Sequence, residues 1–308
     1  MVRLAIVGNG ERAAHHQAAL ATLSDVEIVA VAGPAPVAQY HDLFSRPGLD
    51  VIDICAPAGP AADIAIAAAQ AGKRVITEYA PGVSAADGAR VEAAFRASGS
   101  SLDLLMPERH QPLPQELKAV LQAGKLGALR YVHSAWVWHW PAAGWVADDE
   151  WDRPVTDGDA GLFVLDHAAG ALDMVGWLFG DVPVSTVFAR TCALADDGFS
   201  RYVSAVLSFA DASQAIVEVG LTSEFPPDSG LQRLALTGMR GSAYFQERDH
   251  DILIGGSGAR PLTDDRIAGL ASAFSALFAN GAGNAVADAR LALAVATSLR
   301  TGQPVEVG

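Results

Sequence analysis

The chain has 308 residues, enough for two domains or one large α/β unit, and with 51% hydrophobic and 18% charged residues it can bury a substantial core. Thirty-five acidic against 21 basic residues leave a net charge of −14, which disfavours nucleic acid and anionic membrane surfaces, since both reward clustered Lys and Arg. No uncharged apolar run reaches the ~18 residues that a bilayer span needs. Met1–Gly8 lacks the charged start and small-residue cleavage site of a signal peptide. Cys55 and Cys192, the two cysteines, support neither a disulfide framework nor a Cys-rich zinc site. These features predict a cytoplasmic protein.

Arg3–Val7 predicts a first strand, ending in Gly8-Asn9-Gly10-Glu11-Arg12-Ala13, with a helix from Ala13 to about Leu23. Val26–Ala32 and Val51–Cys55 follow as strands, then a helix at Ile64–Gln70 stopped by Gly72 and a strand at Val75–Glu78. A helix at Ala85–Ser98 and a strand at Ser101–Met106 close the series. Alternating strands and helices indicate a parallel sheet covered on both faces. Beyond this, β-rich runs dominate: Leu129–Trp140, Val182–Cys192, Tyr202–Phe209, Gln214–Thr222, Gln232–Thr237, Ser242–Gln246 and Asp251–Ile254. Helices are predicted at Gly161–Leu178 and Asp288–Arg300. The second half is therefore an α+β domain with a large, mainly antiparallel sheet. The predicted division is a Rossmann-like domain at 1–110 and a substrate or oligomerisation domain at 111–308, with the last helix packing back on the first domain.

A strand, G-x-G-x-x-A and a helix form the context in which that motif binds a dinucleotide. Gly8 permits the tight turn, Gly10 lets backbone approach a pyrophosphate, and Ala13 allows close helix–strand packing. Asn9 and Arg12 belong to the same corner, whose helix N-terminus offers free N–H groups. A glycine-bearing turn without a ligand is the plainer alternative. An acid at the end of the second strand should bond the adenosine ribose, but Val31-Ala32-Gly33-Pro34 holds none. Glu27 is at the wrong end of that strand, and Asp42 is well beyond it. Asp50 lies only 17 positions after Gly33, room for one crossover and no more. The sheet is predicted to be truncated after its second strand, on the adenosine side.

Several segments together resemble the glucose–fructose oxidoreductase / inositol dehydrogenase / MocA (Gfo/Idh/MocA) family. They are the glycine corner, Asp50 to Pro57 with Ala56-Pro57 at the family's "TP" turn, and Ile64 to Val75. Arg109-His110-Gln111-Pro112, Asp166 to Asp173, Thr237 to Ser242 and Arg300 to Val305 complete the set. The resemblance implies an NAD(P)-dependent oxidoreductase of small hydroxyl- or carbonyl-bearing compounds. The large second-domain sheet and its tryptophans predict a homodimer or homotetramer formed through that sheet. The cofactor would lie against Gly8, Asn9, Gly10, Arg12, Ala13, Ala56, Pro57 and Glu78.

Two residues that move protons in the family are replaced. The family's E-K-P is Glu78-Tyr79-Ala80-Pro81 here, with Tyr79 at the lysine position, and Gly170 takes the place of the histidine in its D-x-G-x-H-x-x-D motif. Tyr79 either carries a proton or fills space. His167 either faces the cleft or serves as a satisfied interface histidine. Asp166 and Asp173, seven apart, share a helix face as a base or as capping and ion-pair groups. The candidate catalytic residues are thus Tyr79, Asp166 and His167, and those for substrate are Glu78, Arg109, Asp173 and Trp138.

Trp136, Trp138 and Trp140 alternate along one strand, on a face suited either to ring stacking or to a subunit interface, the latter favoured. Glu108, His110, His139, Asp166 and His167 show no metal-ligand spacing, so no metal is expected. The replaced residues and the shortened sheet leave two further readings open. One is a non-redox enzyme for proton transfer, elimination or hydrolysis, and the other is a non-catalytic partner subunit.

Overall fold

The computed structural model describes residues 1–56, 58–78, 81–82, 85–139, 168–193, 201–222, 230–246, 251–254, 257–261, 266–280 and 285–307. The chain forms two compact units, one built chiefly from Met1–His110 and Arg266–Ala289, the other from Gln111–Ala147, Pro154–Asp265 and Arg290–Gly308.

The first unit alternates strand and helix: β1 (Val2–Gly8), α1 (Gly10–Leu20), β2 (Val26–Ala32), α2 (His41–Phe44), β3 (Val51–Cys55), α3 (Ala58–Gln70), β4 (Arg74–Thr77), α4 (Ala85–Ser98) and β5 (Leu102–Leu104). Its five strands are all parallel, in the order β2-β1-β3-β4-β5. β2 is an edge, and among the described residues no strand lies outside it, as the predicted truncation requires. The link from β2 to β3 holds only a 3-10 turn at Val37–Tyr40 and the four-residue α2. Every residue of β3 is buried, as a strand covered on both faces requires. Ile52 and Ile54 face Ile64, Ala68 and Phe95, whereas Val51 and Cys55 face Ala13, Leu20, Leu270 and Phe274. Leu270 and Phe274 come from a late helix (α7 in chain order, Arg266–Asn280) that the sequence reading missed.

Two helix starts differ from expectation. α1 begins at Gly10 rather than Ala13, directly after the extended Asn9, and Gly10 itself takes φ +74°, a conformation that glycine adopts without strain. α3 begins at Ala58 rather than Ile64, because Pro60 in its first turn has no intrahelical N–H bond to lose.

The second unit comprises α5 (Pro112–Gln122), β6 (Leu129–His139), α6 (Ala169–Phe179), β7 (Val184–Ala193), β8 (Arg201–Phe209), β9 (Gln214–Thr222), β10 (Gly230–Gly238), β11 (Ser242–Gln246), β12 (Asp251–Ile254), β13 (Ser257–Pro261), α8 (Ala285–Thr301) and β14 (Val305–Glu306). Its nine strands run β13-β12-β11-β10-β6-β9-β8-β7-β14, and only β6 and β9 pair in parallel. Alternate residues such as Val132, Val203, Val217 and Leu234 pack with Leu117 of α5, Leu172 of α6 and Val295 of α8. α8 contributes to the second unit's core from Leu291 onward, while its first residues, Ala285–Ala289, fall in the first unit. α7 lies wholly in the first unit. Trp136, partly buried, packs against the helix-covered core, its indole N–H donating to Ser134 Oγ at 2.7 Å. On the opposite face His133 bonds Glu218 at 2.5 Å, and burial together with Glu218 raises the Tyr202 phenol.

No helix among the described residues is long and apolar enough to cross a membrane.

Candidate functional site

Gly8 ends β1 with φ +148°, and a Cβ there would stand 2.5 Å from the Cys55 carbonyl oxygen. Only glycine lets β1 approach β3 so closely at their C-terminal ends. Gly10 and Glu11 are exposed, so the first turn of α1 presents its backbone at the surface, while Ala13 is buried beneath it.

Three residues after Ala13 and four before Leu20, His16 falls on the buried face of α1 and has no exposed surface. Its Nδ1 lies 2.8 Å from Asp53 Oδ2 and 3.3 Å from Cys55 Sγ, and its Nε2 lies 2.7 Å from Glu78 Oε1. Burial pulls the imidazole pKa down, but the Asp53 charge and hydrogen bond, aided by Cys55, outweigh it and raise it well above the ordinary value. His16 is therefore an imidazolium donating to two carboxylates. Glu78, just beyond β4 and 3% exposed, is affected in the opposite direction. Burial would raise its pKa, yet the His16 hydrogen bond and the charges of His16, Arg12 and Arg266 hold it down at about 2. Arg12 Nε and an Arg266 guanidinium nitrogen each lie 3.8 Å from Glu78 Oε2, and Arg12 also donates to the Ala56 carbonyl at 3.4 Å.

His16, Asp53 and Cys55 offer ligand atoms within 4.8 Å of one another, the one such trio among the described residues. Burial and the Asp53 charge push the Cys55 thiol up to about 11, so it holds its proton. Both imidazole nitrogens are already engaged, and the imidazolium supplies the positive charge that a metal would bring. The trio fits a proton-bearing ion cluster better than a metal centre.

A second carboxyl belongs to the same edge of the sheet. Leu105, just after β5, donates its N–H to the Thr77 carbonyl at 2.8 Å, and a 3-10 turn at Pro107–His110 follows. His110 Nδ1 lies 3.1 Å from Ser272 Oγ of α7, fixing the turn to that helix. Glu108, in this turn and half-buried, is pushed up to about 7 by burial and by the Glu78 charge, against the opposing pull of its own backbone amide, Arg266 and Arg109.

At the other end of the glycine corner β2 stops at Ala32 without a carboxylate. The Gly33 carbonyl accepts a 2.8 Å bond from the Tyr40 hydroxyl, and the space where a Gly33 Cβ would project is open. Glu27 pairs with Arg3 at 3.0 Å at the strand's far end.

Of the residues singled out from sequence, Gly8, Asn9, Gly10, Arg12, Ala13, Ala56 and Glu78 line the C-terminal edge of the first unit's sheet, and Arg109 follows β5 in the same unit. Asp173 is buried in α6, and Trp138 holds a β6 position paired with Leu221 and Gly230; both belong to the second unit. Pro57, Tyr79, Asp166 and His167 lie outside the described residues. Sequence reading missed the His16–Asp53–Glu78 network, Arg266, and the effect of the Glu78 charge on Glu108. The signals were there: a histidine on the apolar face of α1 and an aspartate in the middle of an otherwise apolar strand.

A parallel sheet with a glycine corner at its first βα junction, followed by a large mixed sheet, defines a Rossmann-type two-unit protein. Residues 115–244 match the GFO/IDH/MocA C-terminal domain family. The chain is 24% identical over 213 residues to the uncharacterized oxidoreductase YrbE of Bacillus subtilis, covering 67% of this chain and 58% of that one. It is 33% identical over 150 residues to inositol 2-dehydrogenase of Salmonella typhimurium, covering 43% and 45%. It thus spans about half the length of the curated relatives it matches. Biliverdin reductase of Synechocystis, solved with biliverdin and NADP+, shares the fold at a TM-score of 0.72, with 21% identity and 96% of each chain covered. The chain is thus similar to Gfo/Idh/MocA proteins, with the family's C-terminal domain matched over residues 115–244.

Proposed function

We propose that the protein is an oxidoreductase that binds NAD or NADP and acts on a small substrate bearing a hydroxyl or carbonyl group. The observation that carries this reading is the exposed first turn of α1 at a corner where Gly8 and Gly10 adopt φ +148° and +74°. Such a corner fits a diphosphate, which Gly8, Asn9, Gly10 and Ala13 would hold through backbone N–H groups, with Arg12 as the neighbouring cation. The ribose side fits less fully, since Ala32 and Gly33 offer no carboxylate.

When bound, the nicotinamide would supply the acceptor or donor of an electron pair with hydrogen. The chain's own residues would orient and charge the site. His16 holds Glu78 in one rotamer and one ionisation state, and Glu78 in turn fixes Arg12 and Arg266. Arg109 orients the substrate, and the proton moves through a group other than the family's lysine and histidine. Tyr79, Asp166 and His167 remain the candidates from sequence.

The test is titration of NADH and NADPH against intrinsic tryptophan fluorescence. Saturable energy transfer is expected below millimolar cofactor, and none at that level contradicts the proposal. The missing ribose acid and Gly170 at the histidine position favour a second reading, a non-redox enzyme on the same scaffold. Turnover by a cofactor-free preparation would select it.

A further inference from the structure

We propose that the site recognises its cofactor by the nicotinamide mononucleotide half, with the adenosine half contributing little, so that NAD, NADP and nicotinamide mononucleotide are all ligands of it. This rests on the oxidoreductase reading above and names the part of the cofactor that the chain is built to hold.

The strand order decides which half meets which residues. A dinucleotide crosses such a sheet at its switch point, and the acid that holds the adenosine ribose stands at the end of the second strand. In the order β2-β1-β3-β4-β5 this puts adenosine over β2, the edge, and the nicotinamide half over β3 and β4. The link from Gly33 to Asp50 is described throughout. Asp50 accepts the Arg3 N–H at 2.9 Å, and the Arg46 carbonyl accepts from Lys73 at 3.5 Å, both at the opposite edge of the sheet, where β1, β3 and β4 begin. Asp42 is exposed on α2, past the buried Tyr40. At the end of β2 the Gly33 carbonyl is occupied by the Tyr40 hydroxyl, Val31 is 48% exposed, and a Gly33 Cβ would meet nothing within 4 Å. Val31-Ala32-Gly33-Pro34 thus carries neither a carboxylate for a ribose 2′-hydroxyl nor a cation for a 2′-phosphate.

The other side of the corner is built. Arg12, the cation of the first turn of α1, reaches away from β2: it donates to the Ala56 carbonyl beyond β3 at 3.4 Å, and its Nε lies 3.8 Å from Glu78 Oε2 beyond β4. Arg266 of α7 meets the same oxygen at 3.8 Å, so the two guanidinium nitrogens stand at most twice that distance apart. His16, wholly buried, holds the other Glu78 oxygen at 2.7 Å and keeps this cluster in one arrangement. The fixed charges of the corner are therefore gathered over β3 and β4. A mononucleotide carries the phosphate nearer the nicotinamide and so keeps the helix N-terminus and Arg12 as partners. The adenosine half adds only contact with an edge strand that presents no charged group to it.

The test is titration of the full chain with NADH, NADPH and reduced nicotinamide mononucleotide, reading Kd for each from the fluorescence of the reduced ring. The three constants are expected within about tenfold of one another, the worth of one hydrogen bond to a charged group. Arg12→Gln should weaken all three by the same factor, because the phosphate it neighbours is common to them. Gly33→Asp should create a preference for NADH over the mononucleotide that the wild type lacks. A dinucleotide that outbinds the mononucleotide by more than about tenfold, or an Arg12→Gln effect confined to the dinucleotides, overturns this proposal and leaves the oxidoreductase reading standing. Failure of all three to bind overturns that reading and this one with it. Should Arg12→Gln fail to fold, the wild-type ratios decide.

Discussion

His16 shows how one side chain can stabilise a fold and also set the state of a site. Its ring closes a chain from Asp53 to Glu78 with no exposure to water, and Phe274 meets its edge at a centroid distance of 5.2 Å. His16→Ala would leave buried Asp53 without its cation and Glu78 with only the more distant Arg12 and Arg266, a loss of about 3–5 kcal/mol. Urea unfolding should therefore show a sharply lower midpoint for this variant, and an unchanged midpoint would refute the network. The wild-type pH dependence follows from the signs. Glu78, depressed from 4.5 to about 2, contributes stability that is present above 4.5 and lost as pH falls towards 2. His16, raised above 6.5, contributes stability that is full below 6.5 and lost as pH rises through its higher folded value. Glu108, raised from 4.5 to about 7, adds a loss of stability as pH climbs between those values.

At the scale of elements, the informative feature is the short link between β2 and β3. With Tyr40 bonded to the Gly33 carbonyl, an adenosine ribose would find no anionic partner there among the described residues. Because a Cβ at Gly33 meets nothing within 4 Å, Gly33→Asp should be tolerated. It should tighten NADH by roughly tenfold, the worth of one hydrogen bond to a charged group, and weaken NADPH through repulsion of its 2′-phosphate. Equal affinities in wild type and variant, measured by calorimetry, would contradict this placement. This truncation was legible from the sequence because a parallel re-entry has a minimum length, and 17 positions exclude two. α7 was not read, although Ile267, Leu270, Phe274 and Leu277 carry helical spacing, because it falls between weakly patterned segments. The start of α5 hid in the same way: Pro112 at N1 marks a helix start as readily as a linker.

Across the whole molecule, periodicity fixed both sheets, since strands buried on two faces and strands buried on one have different hydrophobic patterns. The site was only half visible. Gly8, Gly10 and Ala13 announce themselves by motif, whereas the link of His16 to Asp53 and Glu78 joins residues 37 and 62 positions apart and exists only once β1, β3 and β4 are side by side. The proposed function therefore depends on the glycine corner being a working diphosphate site. Amide NMR of the nitrogen-labelled chain with added NADH or NADPH tests it most directly. The account predicts saturable shifts centred on Gly8, Asn9, Gly10, Arg12 and Ala13; a ligand that binds while those amides stay still would contradict it.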